Sequence, residues 1–143
     1  DGFVKAGILD IDNKKVVIQV GDAMINVSGV GDYDMDTQEY TRDEDFYSIL
    51  VSHNPDYAAE LSENKPDLML SGHTHGGQVT FFGLWAPLVP SKNGNKFRYG
   101  EIDYNDIKMI VTSGVGTITP PVRFFARPEI VIITLRSGVK NED

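Results

Sequence analysis

Phe46-Tyr47-Ser48-Ile49-Leu50-Val51-Ser52-His53 and Asp67-Leu68-Met69-Leu70-Ser71-Gly72-His73-Thr74-His75 decide how this chain folds. Each is an apolar run that closes on small residues and histidine. The chain holds three histidines, and all stand at these two ends. Their separation of about twenty residues suits one strand, one short helix and a return strand. Asn54-Pro55-Asp56 carries the chemistry of a helix start: a capping side chain, a proline at the first position, and an acid at the positive end of the dipole. Tyr57, Ala58 and Leu61 form the inner face, and Lys65-Pro66 stops the helix. The expected βαβ unit is strand 46–52, helix 55–63, strand 67–71, with parallel strands and a right-handed crossover. Parallel strands put their carboxyl ends on one edge, where open α/β sheets build their sites. His53 and the His73/His75 pair then emerge side by side.

The rest of the chain is β-rich. Val16 to Val20 predicts a strand, Gly21-Asp22 a turn, and Ala23 to Val30 a return strand. An acidic loop follows. Asp32, Asp34 and Asp36 match the first three ligand positions of a calcium loop, but Thr37 stands for its glycine and Asp43 for its bidentate glutamate. A solvated loop is the expectation. Gln78 to Phe82 suggests a short strand, and Gly83 to Pro90 is apolar but broken by glycine and proline. Arg98 to Tyr104 and Ile107 to Thr112 predict a second hairpin, turned at Asn105-Asp106. Ser113 to Thr117 is a tight loop, Glu129 to Leu135 a last strand, and the tail after Arg136 a polar, frayed end.

At 143 residues, with 41% hydrophobic and 24% charged side chains, one globular domain over 1–143 is expected. The net charge of -8 disfavours a nucleic-acid partner, which requires a basic footprint. The absence of cysteine excludes disulfides, thiolate metal sites and cysteine nucleophiles. No run approaches the ~20 apolar residues that span a bilayer. Asp1-Gly2-Phe3-Val4 reads as the middle of a protein, with no signal peptide.

Three imidazoles suit zinc, manganese or iron. Gly72, Gly76 and Gly77 allow positive φ and close approach beside them. A sharply turned His-x-His can aim at two neighbouring ions. Ions about 3.5–4 Å apart clamp the attacking and leaving oxygens of a phosphoryl group. Such a centre also needs carboxylates, for which Asp32 and Asp56 are candidates by position. Taken singly, His53 reads as a structural histidine; the three together favour metal. A Ser52–His53–Asp56 triad is rejected, since triad members rarely adjoin in sequence and no Gly-x-Ser-x-Gly elbow occurs. Gly114-Val115-Gly116 is a turn and not a dinucleotide fingerprint.

Ser52-His53-Asn54-Pro55-Asp56 and Gly72-His73-Thr74-His75 resemble the last two motifs of the calcineurin-like metallophosphoesterases. Gly72 to Val79, Ser113 to Thr117, and Pro121-Val122-Arg123-Phe124 through Arg127-Pro128-Glu129-Ile130 are similar to a bacterial subgroup. That subgroup is membrane- or envelope-associated and related to UDP-2,3-diacylglucosamine pyrophosphatase. The resemblance implies the carboxy-terminal half of a four-layer α/β–β/α sandwich around two divalent ions (Mn, Fe or Zn). His53 and His73 would hold one ion and His75 the other. The implied reaction is hydrolysis of a phosphoester or phosphoanhydride, on a phosphorylated small molecule or a lipid-linked substrate, by metal-bound hydroxide. The family's Asp-x-His, Gly-Asp-x-x-Asp and Gly-Asn-His-(Asp/Glu) motifs are not in this chain; Met35 stands where Gly31-Asp32 would need an aspartate. No catalytic residue is therefore assigned here. The chain alone is expected to bind metal weakly, more weakly still below about pH 6.5 as imidazole protonates, and to turn over little. Its natural partner is an amino-terminal half of the same protein. The alternative is a non-catalytic metal-binding or interaction module.

Two features stay open. Phe81, Phe82, Leu84, Trp85, Leu88 and Val89 form either an apolar rim for a lipid-linked substrate or membrane surface, or a surface packed on the other half or over the core. Packing carries more weight, because exposed patches are exceptions. Arg123 either reaches a substrate phosphate or makes a structural ion pair.

Overall fold

The structure, a computed structural model, describes residues 2–33 and 39–136. Asp34, Met35, Asp36 and Thr37 of the acidic loop, and the polar tail after Arg136, lie outside them. After a single helical turn, α1 (Gly2–Lys5), come β1 (Lys14–Val20), β2 (Ala23–Gly29), β3 (Tyr47–Val51), β4 (Leu68–Ser71), β5 (Gly100–Tyr104) and β6 (Ile107–Val111). They form one mixed sheet in the order β1-β2-β3-β4-β6-β5. The two hairpins, β1–β2 and β5–β6, are antiparallel and flank a parallel centre of β2, β3, β4 and β6. This is a β-rich α/β sheet. Asn105 and Asp106 make the second hairpin turn with φ of 48° and 64°, the left-handed pair that a two-residue hairpin requires.

The connection predicted as a helix over 55–63 is shorter: one 3₁₀ turn, Pro55–Ala59. Its start is as read, with the Asn54 side chain accepting from Asp56 N at 2.9 Å. Beyond it, Ser62-Glu63-Asn64 favours bends over helix, Asn64 turns left-handed at φ 53°, and so short a helix is marginal anyway. The turn still delivers Tyr57, Ala58 and Leu61 to the core. Gln78 to Phe82 is not a strand. Gln78 and Phe82 are left-handed at φ 51° and 53°, which leaves only isolated bridges at Val79 and Phe81. Glu129 to Leu135 also forms no strand among the described residues. Val131 to Thr134 line a shared cavity with Gly100 and Glu101 of the edge strand β5 but do not pair with it, and an unpaired strand gains no ladder bonds.

Register and pleat assign the two faces of the sheet. Ser28, Leu50, Met69, Met109 and Ile102 share one row. On that face Leu50, Met69, Met109, Ile107 and Val111 pack with Tyr57, Ala58, Leu61 and Phe97 into the core. The opposite face carries Val27, Ile49 and Leu68 in one row and Val51, Leu70 and Ile110 in the next. It is equally apolar, yet Tyr47 and Val51 are exposed there and Ile25, Val27, Leu70 and Ile110 only half-buried.

Candidate metal centre

Three neighbouring strand ends build the site. Ser52 N donates to Leu70 O at 3.0 Å, Gly72 N to His53 O at 3.1 Å, and Thr112 N to Ser71 O at 2.9 Å. The backbone pairing thus continues past β3, β4 and β6 and sets His53 beside His73. The His73 Nδ1 and His53 Nε2 atoms lie 3.1 Å apart, with the rings nearly perpendicular at 76°. Two imidazole nitrogens each ~2.1 Å from one ion, at about a right angle, would be roughly 3 Å apart. The pair therefore suits a shared transition ion. Among the described residues, no group of three or more His, Cys, Asp or Glu side chains could hold an ion. The donor set here is two nitrogens, with His75 held elsewhere.

Backbone strain shapes the turn that carries His73 and His75. Their φ angles are 65° and 51°, conformations that L-residues adopt only when their surroundings impose them. Thr74 supplies the constraint. Its buried hydroxyl donates to Arg98 O at 2.6 Å and accepts from Gly76 N at 3.3 Å. Gly77 follows at φ 78°, tight against buried Ala86. His75 Nδ1 donates to Gly116 O at 3.0 Å, so its Nε2 is left as the donor atom for a ligand.

Two arginines hold consecutive carbonyls of this turn. Arg123 Nη1 donates to His75 O at 3.2 Å, and Arg98 Nη1 to Gly76 O at 2.9 Å. Arg98 Nη2 also donates to Gly83 O at 2.8 Å, and burial draws its pKa down. Arg123 donates further to the carbonyls of Ser113, Gly114, Gly116 and Ala126. Its Nη groups are spent on backbone oxygens, so Arg123 serves structure through carbonyls, and neither the phosphate contact nor the ion pair is what the described residues place there.

Asp56 is not a ligand either. It is buried and accepts from Ser91 Oγ at 2.7 Å, Lys92 N at 2.7 Å and Asn93 Nδ2 at 2.8 Å. Burial alone would raise its pKa; the hydrogen bonds from Asn93, Ser91 and Lys92 outweigh burial and hold it below the ordinary carboxylate range. Asp56→Ala is expected to cost about 3 kcal/mol, because buried donors lose a charged acceptor. The sign with pH follows from the lowered value. The stabilisation is complete above the unfolded pKa of about 4 and is lost as pH falls through the folded one. Urea unfolding from pH 7 to pH 2 checks this: the gap between wild type and Asp56→Ala should narrow below about pH 4, and a constant gap would contradict it.

Thr74, Arg98 and the Gly116 carbonyl are the parts of the site that sequence reading did not find. Arg98 and the Gly116 carbonyl act on atoms distant in sequence, which leaves no local motif. Thr74 lies inside the Gly72-His73-Thr74-His75 stretch but owes its role to Arg98 O, 24 residues away. The apolar stretch after the turn is exposed: Phe82 is 76% and Leu84 83% accessible. It does not cap the described core. Phe82 instead meets Phe125 at 5.3 Å, Phe125 meets Phe124 at 4.6 Å, and Phe81 meets Trp85 at 5.6 Å. These loops join next to the His75 turn, where Phe124 N donates to Gln78 O at 2.8 Å.

No family model matches the chain, and no solved structure matches it. Curated proteins do. YpbG of Bacillus subtilis, named only as an uncharacterized protein, is 32% identical over 139 residues, which cover 93% of this chain and 50% of that protein. YkuE of the same organism, an uncharacterized metallophosphoesterase, is 36% identical over 91 residues, covering 64% and 32%. An uncharacterized metallophosphoesterase of Aquifex aeolicus is 33% identical over 136 residues, covering 94% and 46%. The chain thus spans half the length, or less, of these relatives. Several of the curated homologues of this chain are named metallophosphoesterases, and that name supports the same family for the protein that carries His53, His73 and His75.

Proposed function

We propose that this chain forms the carboxy-terminal half of a metal-dependent phosphoesterase. His53 and His73 would share one divalent ion and His75 would serve a second. The observation that carries the reading is the 3.1 Å approach of His73 Nδ1 to His53 Nε2 at adjacent strand ends. Divalent ions bound there would polarise a phosphoryl group and a water molecule, and would offset the net charge of -8 toward an anionic substrate. The chain's own contribution is orientation: strained backbone, Thr74 and two arginines hold the imidazoles before any ligand arrives.

The uncovered sheet face supports the division into halves. Parallel sheets are ordinarily covered on both faces, and here Val51, Leu70 and Ile110 lack a full second layer. Ile130 and Ile132 of the unpaired 129–135 segment are 84% and 89% exposed. An amino-terminal half of the same protein would cover both and would bring the carboxylates that the ions need. Cobalt(II) titration of the 143-residue chain should reveal weak binding by visible absorption. A longer protein with the amino-terminal half should hydrolyse a phosphodiester with manganese, while this chain alone turns over little. Substantial turnover by the chain alone would refute the half-site reading. An inactive longer protein that still binds the ions would favour a non-catalytic metal-binding or interaction module.

The aromatic cluster beside His75 would also suit a substrate or surface with apolar character, a lipid-linked phosphate or a membrane, where the amino-terminal half leaves it uncovered. Liposome flotation of the longer protein should fall on Trp85→Ala and Phe82→Ala. Unchanged flotation, or none in the parent, would count against this.

A further inference from the structure

We propose that Arg123 is a positioning residue for His75, setting both the place of its ring and its tautomer; the functional meaning rests on the metal reading above. One guanidinium grips His75 from two directions. Nη1 donates to the His75 carbonyl at 3.2 Å. Nη2 donates to Gly116 O, the same carbonyl that accepts from His75 Nδ1. The backbone of His75 and the acceptor of its ring are thus referred to a single planar group. That group is itself tied to the end of β6 through Ser113 O at 2.7 Å and to Ala126 O at 3.1 Å.

The consequence is chemical. A carbonyl can only accept, so the His75 Nδ1 that faces it carries the proton. In the neutral ring Nε2 then bears the lone pair, and Nε2 is the atom left for an ion. The acceptor sits in the exposed stretch Val115 to Thr117, which by itself would not hold a carbonyl in one direction. Arg123 makes it directional. Lysine would keep the charge but lose the planar fork that reaches several carbonyls at once. Phosphate recognition is not available to Arg123 while these bonds stand, so its effect on any reaction would run through His75.

Long-range proton–nitrogen NMR on the metal-free chain at pH 8 tests this, with the His75 signals assigned by their loss in His75→Gln. The expected wild-type pattern is a protonated Nδ1 and a bare Nε2. Arg123→Lys and Arg123→Gln should give a mixture of tautomers at His75 and leave the His53 and His73 signals in place. A protonated Nε2 in wild type overturns the proposal. So does an unchanged tautomer in either folded variant. Loss of fold in both variants would also overturn it, in favour of an arginine that only holds the loop. The metal reading fails separately: a correct tautomer that shifts in the variants, in a chain that binds no cobalt(II), removes the ion and leaves the positioning role.

Discussion

Alanine at His73 is expected to weaken cobalt(II) binding at the His53/His73 pair by more than about 100-fold, since even residues that only support a ligand cost 10–100-fold. The two rings reach each other because β3 and β4 are neighbours in register, with Leu50 opposite Met69 and Val51 opposite Leu70. The Gly72 N to His53 O bond then carries that register to the histidines. Removing one nitrogen leaves a single imidazole, which competes poorly with water for a divalent ion. His53→Ala should do the same. His75→Ala should spare this pair, because its ring is held by Gly116 O. Calorimetric titration of the three variants separates the cases. Equal losses in all three would mean one shared site and would contradict the division into two.

Gly77→Ala carries the largest expected loss of stability, about 3–5 kcal/mol, from backbone strain and overpacking together. Gly77 sits at φ 78°. A Cβ there would collide with Ala86 Cβ and would lie 3.3 Å from Arg98 Cδ. Ala86 cannot yield, because it is buried and its N and O are held by the Asn95 side chain at 2.8 Å each. Gly114→Ala is the matching control: φ is 58° but no atom lies within 4 Å of the added carbon. That variant should lose only about 1–2 kcal/mol. Equal losses in urea unfolding would show that strain alone, and not the contact with Ala86, fixes glycine at 77.

Much of the sheet was legible because its signals are local. β-branched runs marked β1 and β3, Asn105-Asp106 marked the second hairpin, and Asn54-Pro55 marked the turn that returns the chain to β4. Errors fell where a segment depends on a neighbour. Glu129 to Leu135 has the apolar, β-branched residues of a strand and lies near β5 without pairing to it. Gln78 to Phe82 has strand-like residues, but two of them are forced left-handed by the packing of the turn. The 55–63 segment had a correct start and a misjudged end, since burial of Tyr57, Ala58 and Leu61 needs only one tight turn.

The site divides along the same line. The identity of the three histidines, their position at strand ends and the glycines around them follow from the sequence by itself, because ligand type and backbone freedom are properties of single residues. Only the tertiary structure decided that His53 and His73 converge to 3.1 Å while His75 is held apart. It also turned Asp56 from a candidate ligand into the anchor of the 91–93 loop, and Arg123 from a possible phosphate contact into a clamp. These assignments rest on hydrogen bonds between residues 3 to 48 positions apart, widely separated pairs among them being Asp56 with Ser91 and Arg123 with His75. Such bonds arise from the register of β3, β4 and β6, and no short stretch of chain encodes that register.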